Sequence, residues 1–71
     1  MWVIRKTTIE SEETYYKGSR FVRAGSAEAS FTNDPTKAVS FDTQQEGVEF
    51  AIDRGMIFCF GVENIHVVRV I

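Results

Sequence analysis

The chain has 71 residues, one cysteine, one histidine and a formal net charge of −2 at pH 7. A chain of this length forms a single small domain over residues 1–71, and its one core is marginal by itself. The lone cysteine excludes an intrachain disulfide, and one cysteine with one histidine cannot supply the four ligands of a structural zinc site. The acidic balance disfavours a dedicated nucleic-acid binder.

The sequence contains no run of 18 apolar residues, which disfavours a transmembrane helix. The N-terminal residues do not follow a signal-peptide pattern, because Arg5 and Lys6 precede polar residues. Cys59 lies in an apolar run and is predicted to be a reduced, buried thiol. We therefore expect a cytoplasmic protein that has no membrane contact and binds no metal or cofactor. Aromatic packing and self-association are the remaining means of stabilising so short a chain.

The first third of the chain predicts a β-hairpin. Residues 2–8 alternate and are rich in β-branched side chains, which is typical of a strand. Residues 9–13 hold three glutamates and predict an exposed turn. A second strand follows over 14–17, is interrupted by glycine and serine at 18–19, and resumes over 20–23.

A loop and one helical turn follow the hairpin. Residues 24–30 are small and predict a loop, with a short strand over 28–32 as an alternative at its end. Asp34 can cap a helical turn that begins at Pro35, since the first helical position does not need a backbone N–H. We expect this turn to end by Val39.

The clearest helix signal begins at Thr43 and ends at Gly55. The Thr43 hydroxyl can accept from the N–H of Glu46 while the Glu46 side chain returns to Thr43, which is a capping box; Asp42 is the competing cap. Glycine after the last helical residue favours a left-handed C-terminal cap. Gly47 lowers helix propensity by roughly 1 kcal/mol relative to alanine, so we expect a close approach there. The apolar stripe of this helix comprises Val48, Ala51 and Ile52.

The last third of the chain predicts two strands. Residues 56–60 form an apolar run that predicts a buried strand, and residues 61–64 a turn. Residues 65–71 predict a final strand with two apolar faces, which indicates either a central strand or one covered by another chain, such as a second copy in a homodimer. The predicted fold class is α+β, with a curved antiparallel sheet of about four strands, one main helix packed across it and a short helical turn.

One candidate binding site is an acidic helix face. Four carboxylates are spaced by four, three and four residues, which places them on one side of a helix. Such a face suits a basic protein partner or a cation, and the alternative interpretation is an ordinary solvated face. The four residues are Asp42, Glu46, Glu49 and Asp53.

A second candidate site combines aromatic and basic residues in the hairpin. Rings interleaved with cations are typical of grooves that bind single-stranded nucleic acid. The alternative is a hairpin whose aromatic side chains pack inward while its cations are solvated. The residues concerned are Tyr15, Tyr16, Lys17, Arg20, Phe21 and Arg23.

No catalytic residue is predicted. Cys59 and His66 are the types that form a nucleophile and base, but a thiol in apolar surroundings is inert. Gly18, Gly25 and Gly61 do not have the spacing of a phosphate-binding loop.

Three segments together resemble small uncharacterised phage and prophage proteins. These segments carry an aromatic–glycine hairpin, the pattern Thr-x-Asp-x-x-x-Ala-x-x-Phe and a short helix; they are residues 15–18, 31–41 and 43–51. Gly47 departs from that pattern, which has a helix former there. The resemblance implies a protein that binds and blocks a host factor, and it carries over no functional residues.

The sequence thus predicts a small non-enzymatic binding protein, phage- or prophage-encoded, that modulates a host factor by protein–protein contact in the host cytoplasm. The alternative is a small nucleic-acid-binding regulator that uses the hairpin from Tyr15 to Arg23.

Overall fold

A computed structural model describes residues 1–8, 10–18 and 31–70 of the chain. The strands are β1 (Trp2–Thr7), β2 (Glu13–Tyr16), β3 (Phe31–Thr32) and β4 (Ile65–Arg69). The helices are α1 (Gln44–Asp53), α2 (Met56–Phe60) and a 3-10 helix over Pro35–Lys37. The four described strands form one open antiparallel sheet in the order β3-β2-β1-β4. The predicted α+β fold class is confirmed.

The predicted first hairpin is confirmed within the described residues. β1 and β2 pair antiparallel, with Arg5 opposite Tyr15. In the acidic turn, the Thr8 N–H donates to the carbonyl of Glu12 at 2.8 Å, and Ser11 adopts a left-handed φ of 65°. The predicted continuation of the second strand over 20–23 and the predicted loop over 24–30 lie outside the described residues.

The helical turn predicted after Asp34 is confirmed as the 3-10 helix. The Asp34 carboxylate accepts hydrogen bonds from both the backbone N–H of Thr36, at 2.9 Å, and its hydroxyl, at 2.7 Å. Pro35 occupies the first turn, where a backbone N–H is not needed. The two bonds from Thr36 lower the pKa of the exposed Asp34 carboxyl below its usual range.

Both predicted ends of the main helix are confirmed. The Thr43 hydroxyl accepts a hydrogen bond from the N–H of Glu46 at 3.2 Å. This N–H belongs to the first turn of α1, whose backbone N–H groups have no acceptor within the helix. Gly55 follows the helix in the left-handed region, with φ of 73°. The close approach predicted at Gly47 is also present, because this buried residue lies directly against Val67 of β4.

The prediction of a buried strand over residues 56–60 is wrong, because these residues form α2. Met56 is fully buried, and Ile57 and Phe60 pack against the core. Phe60 lies four residues after Met56 and three after Ile57, so it shares a side of α2 with each of them, and this side faces the core. A short apolar run has no period that separates a buried strand from a buried helix, and Gly55 turns the chain so that a second helix can start. The fourth strand is instead Phe31–Thr32.

Of the two alternatives predicted for the last strand, a central position is wrong for the described sheet, because β4 lies at its edge. The Thr7 N–H donates to the carbonyl of Asn64, and the N–H of Val70 donates to the carbonyl of Met1. Antiparallel hydrogen bonding alternates, so the backbone groups of Val67 point outward, away from β1. There the side-chain amide of Gln44 donates to the Val67 carbonyl at 3.3 Å. A helix side chain therefore covers part of the strand's outer edge.

The core lies between the sheet and the two α-helices. Ile4 of β1 and Met56 of α2 are fully buried. The Tyr16 ring contacts Phe31 edge-on, with centroids 5.7 Å apart, and Phe50 of α1 at 5.6 Å. The buried cluster comprises Ile4, Tyr16, Phe31, Ala51, Met56 and Ile65.

Candidate functional site

Lys6 is a buried cation on the helix-facing side of the sheet. Alternation along β1 places Lys6 on the same face as the core residue Ile4, and only 8% of Lys6 is exposed. Buried lysines are rare unless they are paired. The sequence carried a signal for this position, because a lysine follows Trp2 and Ile4 on the apolar side of the predicted strand.

Two aromatic rings flank the Lys6 ammonium. The Lys6 Nζ lies 4.9 Å from the centroid of Phe31 and 4.6 Å from that of Phe60. Both distances are within the range of cation–π attraction, which strengthens as water is excluded. Among the described residues, no carboxylate lies within 4.0 Å of this ammonium and no acceptor is hydrogen-bonded to it. Lys6 therefore retains its capacity to donate hydrogen bonds.

A cleft of about 740 Å³ opens beside Lys6, between the turn of the first hairpin, β3 and α2. Its volume lies in the range typical of small-molecule sites. The Thr8 hydroxyl in its wall accepts from the Glu12 N–H at 3.1 Å and keeps its own proton for a ligand. Asn64 is held by a hydrogen bond from its side-chain amide to the Phe60 carbonyl at 2.8 Å. The exposed polar residues of the wall are Glu10, Glu12 and Asn33.

The acidic residues predicted on the main helix are all exposed. Glu46, Glu49 and Asp53 lie on one face of α1, and Asp42 precedes the helix. The side-chain amide of Gln45 donates to a Glu49 carboxylate oxygen at 3.2 Å. The helix thus presents three carboxylates to solvent, and the fourth lies beside its N-terminus.

Large apolar side chains are exposed on α1, on α2 and in the turn after α2. Phe58 of α2 is 95% exposed, Val62 is 68% exposed, and Ile52, three residues after Glu49 on α1, is 62% exposed. Leaving a phenylalanine in water forgoes roughly 2 kcal/mol of burial free energy. The exposure of Phe58 was not predicted from the sequence, because residues 56–60 were predicted to form a buried strand. We call Glu46, Glu49, Ile52, Asp53, Phe58 and Val62 the acidic–apolar surface.

The basic–aromatic residues of the hairpin do not share one stacking surface in the described part. Tyr16 is buried in the core, whereas Tyr15 lies on the opposite face of β2, with its hydroxyl 3.5 Å from a Glu13 carboxylate oxygen. Lys17 is exposed. The other three residues, Arg20, Phe21 and Arg23, lie outside the described residues.

The structure does not bring Cys59 and His66 together. Cys59 is half-buried on α2 and lines the cleft on the helix side of the sheet. His66 pairs with Arg5 across β1 and β4, on the face away from Lys6, and its Nε2 lies 3.0 Å from the Glu63 carbonyl oxygen. In the described ranges, no three His, Cys, Asp or Glu side chains are placed to hold a metal ion. None of the helices described is long and apolar enough to cross a membrane.

Comparison with known protein families, with curated proteins and with solved structures finds no match to this chain. The chain therefore takes no function from a relative, and its own side chains must indicate one. Two features of the described residues do so: the cleft around Lys6 and the acidic–apolar surface.

Proposed function

We propose that this chain is a small non-enzymatic binding protein that modulates a host factor by protein–protein contact through the acidic–apolar surface. The observation that carries the proposal is the 95% exposure of Phe58. A domain of 71 residues has little stability to spare, so an aromatic side chain left in water suits a surface that a partner covers.

The exposed carboxylates of α1, the helix that precedes Phe58 in the chain, indicate the chemistry of the partner. Glu46, Glu49 and Asp53 give α1 three exposed carboxylates, which attract a basic surface and raise its rate of association. Exposed aromatic side chains are frequent anchors at the centre of protein interfaces. The partner we infer has an apolar pocket for Phe58, bordered by lysine or arginine side chains.

Phage or prophage origin and action in the host cytoplasm belong to the same proposal. They are supported by the resemblance of segments 15–18, 31–41 and 43–51 to small phage and prophage proteins. Under this proposal the partner is a protein of the bacterial host. Binding alters the activity of that partner, and this chain catalyses no reaction.

Affinity capture from host lysate with matched variants tests the proposal. The folded wild type and the control Lys37→Ala should retain the same protein. Lys37 is exposed and does not belong to the acidic–apolar surface. Phe58→Ala should lose it, and the triple substitution Glu46→Gln, Glu49→Gln and Asp53→Asn should weaken it in low salt. Because Phe58 is almost fully exposed, its substitution should leave the melting temperature nearly unchanged.

Equal capture by Phe58→Ala and the wild type would contradict the proposal, as would no capture by folded protein. Salt-sensitive binding of single-stranded DNA or RNA, lost in the double variant Lys17→Ala, Arg20→Ala, would instead support the nucleic-acid-binding alternative.

A further inference from the structure

We propose that the cleft around Lys6 binds a small zwitterion of the amino-acid type. The ligand carboxylate pairs with the Lys6 ammonium, and the ligand ammonium faces Glu10 and Glu12. This site lies apart from the acidic–apolar surface, because Cys59 and Phe60 line the cleft while Phe58 is turned outward on the same helix.

The largely buried Lys6 is the reason to expect a carboxylate on the ligand. The Lys6 side chain is largely withdrawn from water while its ammonium borders the cleft, so a ligand carboxylate there would offset the hydration that the ammonium has lost. The rings of Phe31 and Phe60 attract the charge but accept no conventional hydrogen bond. No described carboxylate lies within 4.0 Å of Lys6, which is 92% buried and borders an open cleft. A ligand carboxylate would supply the charge-assisted hydrogen bonds that the described residues do not.

The glutamates in the cleft wall account for the second charge of the ligand. Glu10 and Glu12 are exposed and line the same cleft as Lys6. Together these three side chains carry a net charge of about −1, which repels dianions such as phosphate esters. A ligand with one carboxylate and one ammonium matches both signs, with the carboxylate at the buried cation and the ammonium at the exposed glutamates.

The remaining wall suits a small molecule with an apolar body. Phe31 and Phe60 meet edge-on, with centroids 5.8 Å apart and planes at 88°, and present apolar surface next to the charge. The Thr8 hydroxyl and the exposed Asn33 amide add hydrogen-bond donors in the wall. An aromatic amino acid combines all these features.

Titration of the ¹⁵N-labelled protein with three related compounds tests the proposal. L-Phenylalanine has both charges, 3-phenylpropionate lacks the ammonium, and phenethylamine lacks the carboxylate. L-Phenylalanine should shift amide signals at the cleft, with a dissociation constant on the order of 1 mM. The affinity of 3-phenylpropionate should be roughly two- to fivefold lower, as expected for loss of an exposed charge pair, and phenethylamine should not bind.

Two variants assign the charges. Lys6→Met keeps an unbranched apolar side chain between the rings and should abolish binding of L-phenylalanine, whereas Lys37→Met removes an exposed lysine and should preserve it. The pair Glu10→Gln, Glu12→Gln should abolish the preference for L-phenylalanine over 3-phenylpropionate, because it weakens binding of the zwitterion and removes two negative charges that disfavour the anion. These glutamates are exposed, so the pair decides the question even if Lys6→Met does not fold.

The proposal is overturned if L-phenylalanine at about 10 mM shifts no cleft signals, or if it binds Lys6→Met as it binds the wild type. Equal affinity for L-phenylalanine and 3-phenylpropionate, or binding of phenethylamine, would also overturn it. None of these outcomes bears on capture of a protein partner through Phe58.

Discussion

Gly47 of α1 lies directly against Val67 of β4, so that a β-carbon on the glycine would be 2.7 Å from the Val67 Cγ1. The same β-carbon would lie 3.4 Å from Cδ2 of Phe41. Glycine therefore lets the helix approach the edge strand of the sheet. Its low helix propensity is offset by this close packing.

Gly47→Ala should destabilise the protein. Alanine favours a helix by roughly 1 kcal/mol, but overpacking a tight contact costs about 1–3 kcal/mol. Val67 is β-branched and held in β4, so it cannot rotate away freely. We expect a lower melting temperature, and urea unfolding measures the accompanying change in the free energy of unfolding.

Val67→Ala is the matched partner for this test. In its background, Gly47→Ala should become neutral or stabilising, because the contact that opposes the new methyl group is gone. A double-mutant cycle isolates this coupling, which should be about 1 kcal/mol or more. Additive effects of the two substitutions would show that close packing is not the reason for glycine at position 47.

Gly55→Ala should also destabilise the protein, for a different reason. Nothing lies within 4 Å of a β-carbon built on Gly55, but its φ of 73° is left-handed. The cost is then conformational, about 1–2 kcal/mol for alanine, and smaller for Gly55→Asn because asparagine tolerates this region. If urea unfolding shows the same loss of unfolding free energy for Gly55→Ala and Gly55→Asn, the left-handed backbone is not the cause of the destabilisation.

The Asp34 carboxylate should make stability depend on acid pH. The hydroxyl and then the N–H of Thr36, with a smaller effect of the Lys37 charge, hold the pKa of Asp34 below its usual value of about 4. The unfolded chain therefore binds this proton more readily. The stabilisation is present above the unfolded pKa and is lost as the pH falls through the folded pKa.

Thr36→Ala removes the hydroxyl donor and should raise the pKa of Asp34 toward its usual value in a carboxyl ¹³C titration. Asp34→Asn should lower stability at pH 7, and this difference from the wild type should shrink in strong acid. A difference that grows as the pH falls would have the wrong sign.

The protein should form a homodimer through the edge strand β4. No described strand pairs with its outer edge, and its half-buried Val68 faces away from the helices. A second copy could pair with the outward backbone groups of β4, displacing the bond from Gln44 to the Val67 carbonyl, and cover the exposed part of Val68. Light scattering at micromolar concentration should give twice the chain mass of 8.1 kDa. A mass equal to one chain would rule out this dimer.

The sequence by itself determined the features whose stabilising contacts are local. The hydrogen bond from Glu46 to Thr43 spans three residues, and that from Thr36 to Asp34 spans two. The left-handed cap at Gly55 and the acidic turn of the first hairpin depend on neighbouring residues in the same way. These signals were enough to predict the main helix, the helical turn, the hairpin and the α+β class.

Only the tertiary structure decided the features that depend on distant residues. Residues 56–60 form a helix in which Met56 belongs to the core and Ile57 and Phe60 pack against it. The apolar run alone does not distinguish a buried helix from a buried strand. The edge position of β4 depends on which strands pair. The cleft needs Lys6, Phe31 and Phe60, which are far apart in sequence and meet only when β1, β3 and α2 have packed together.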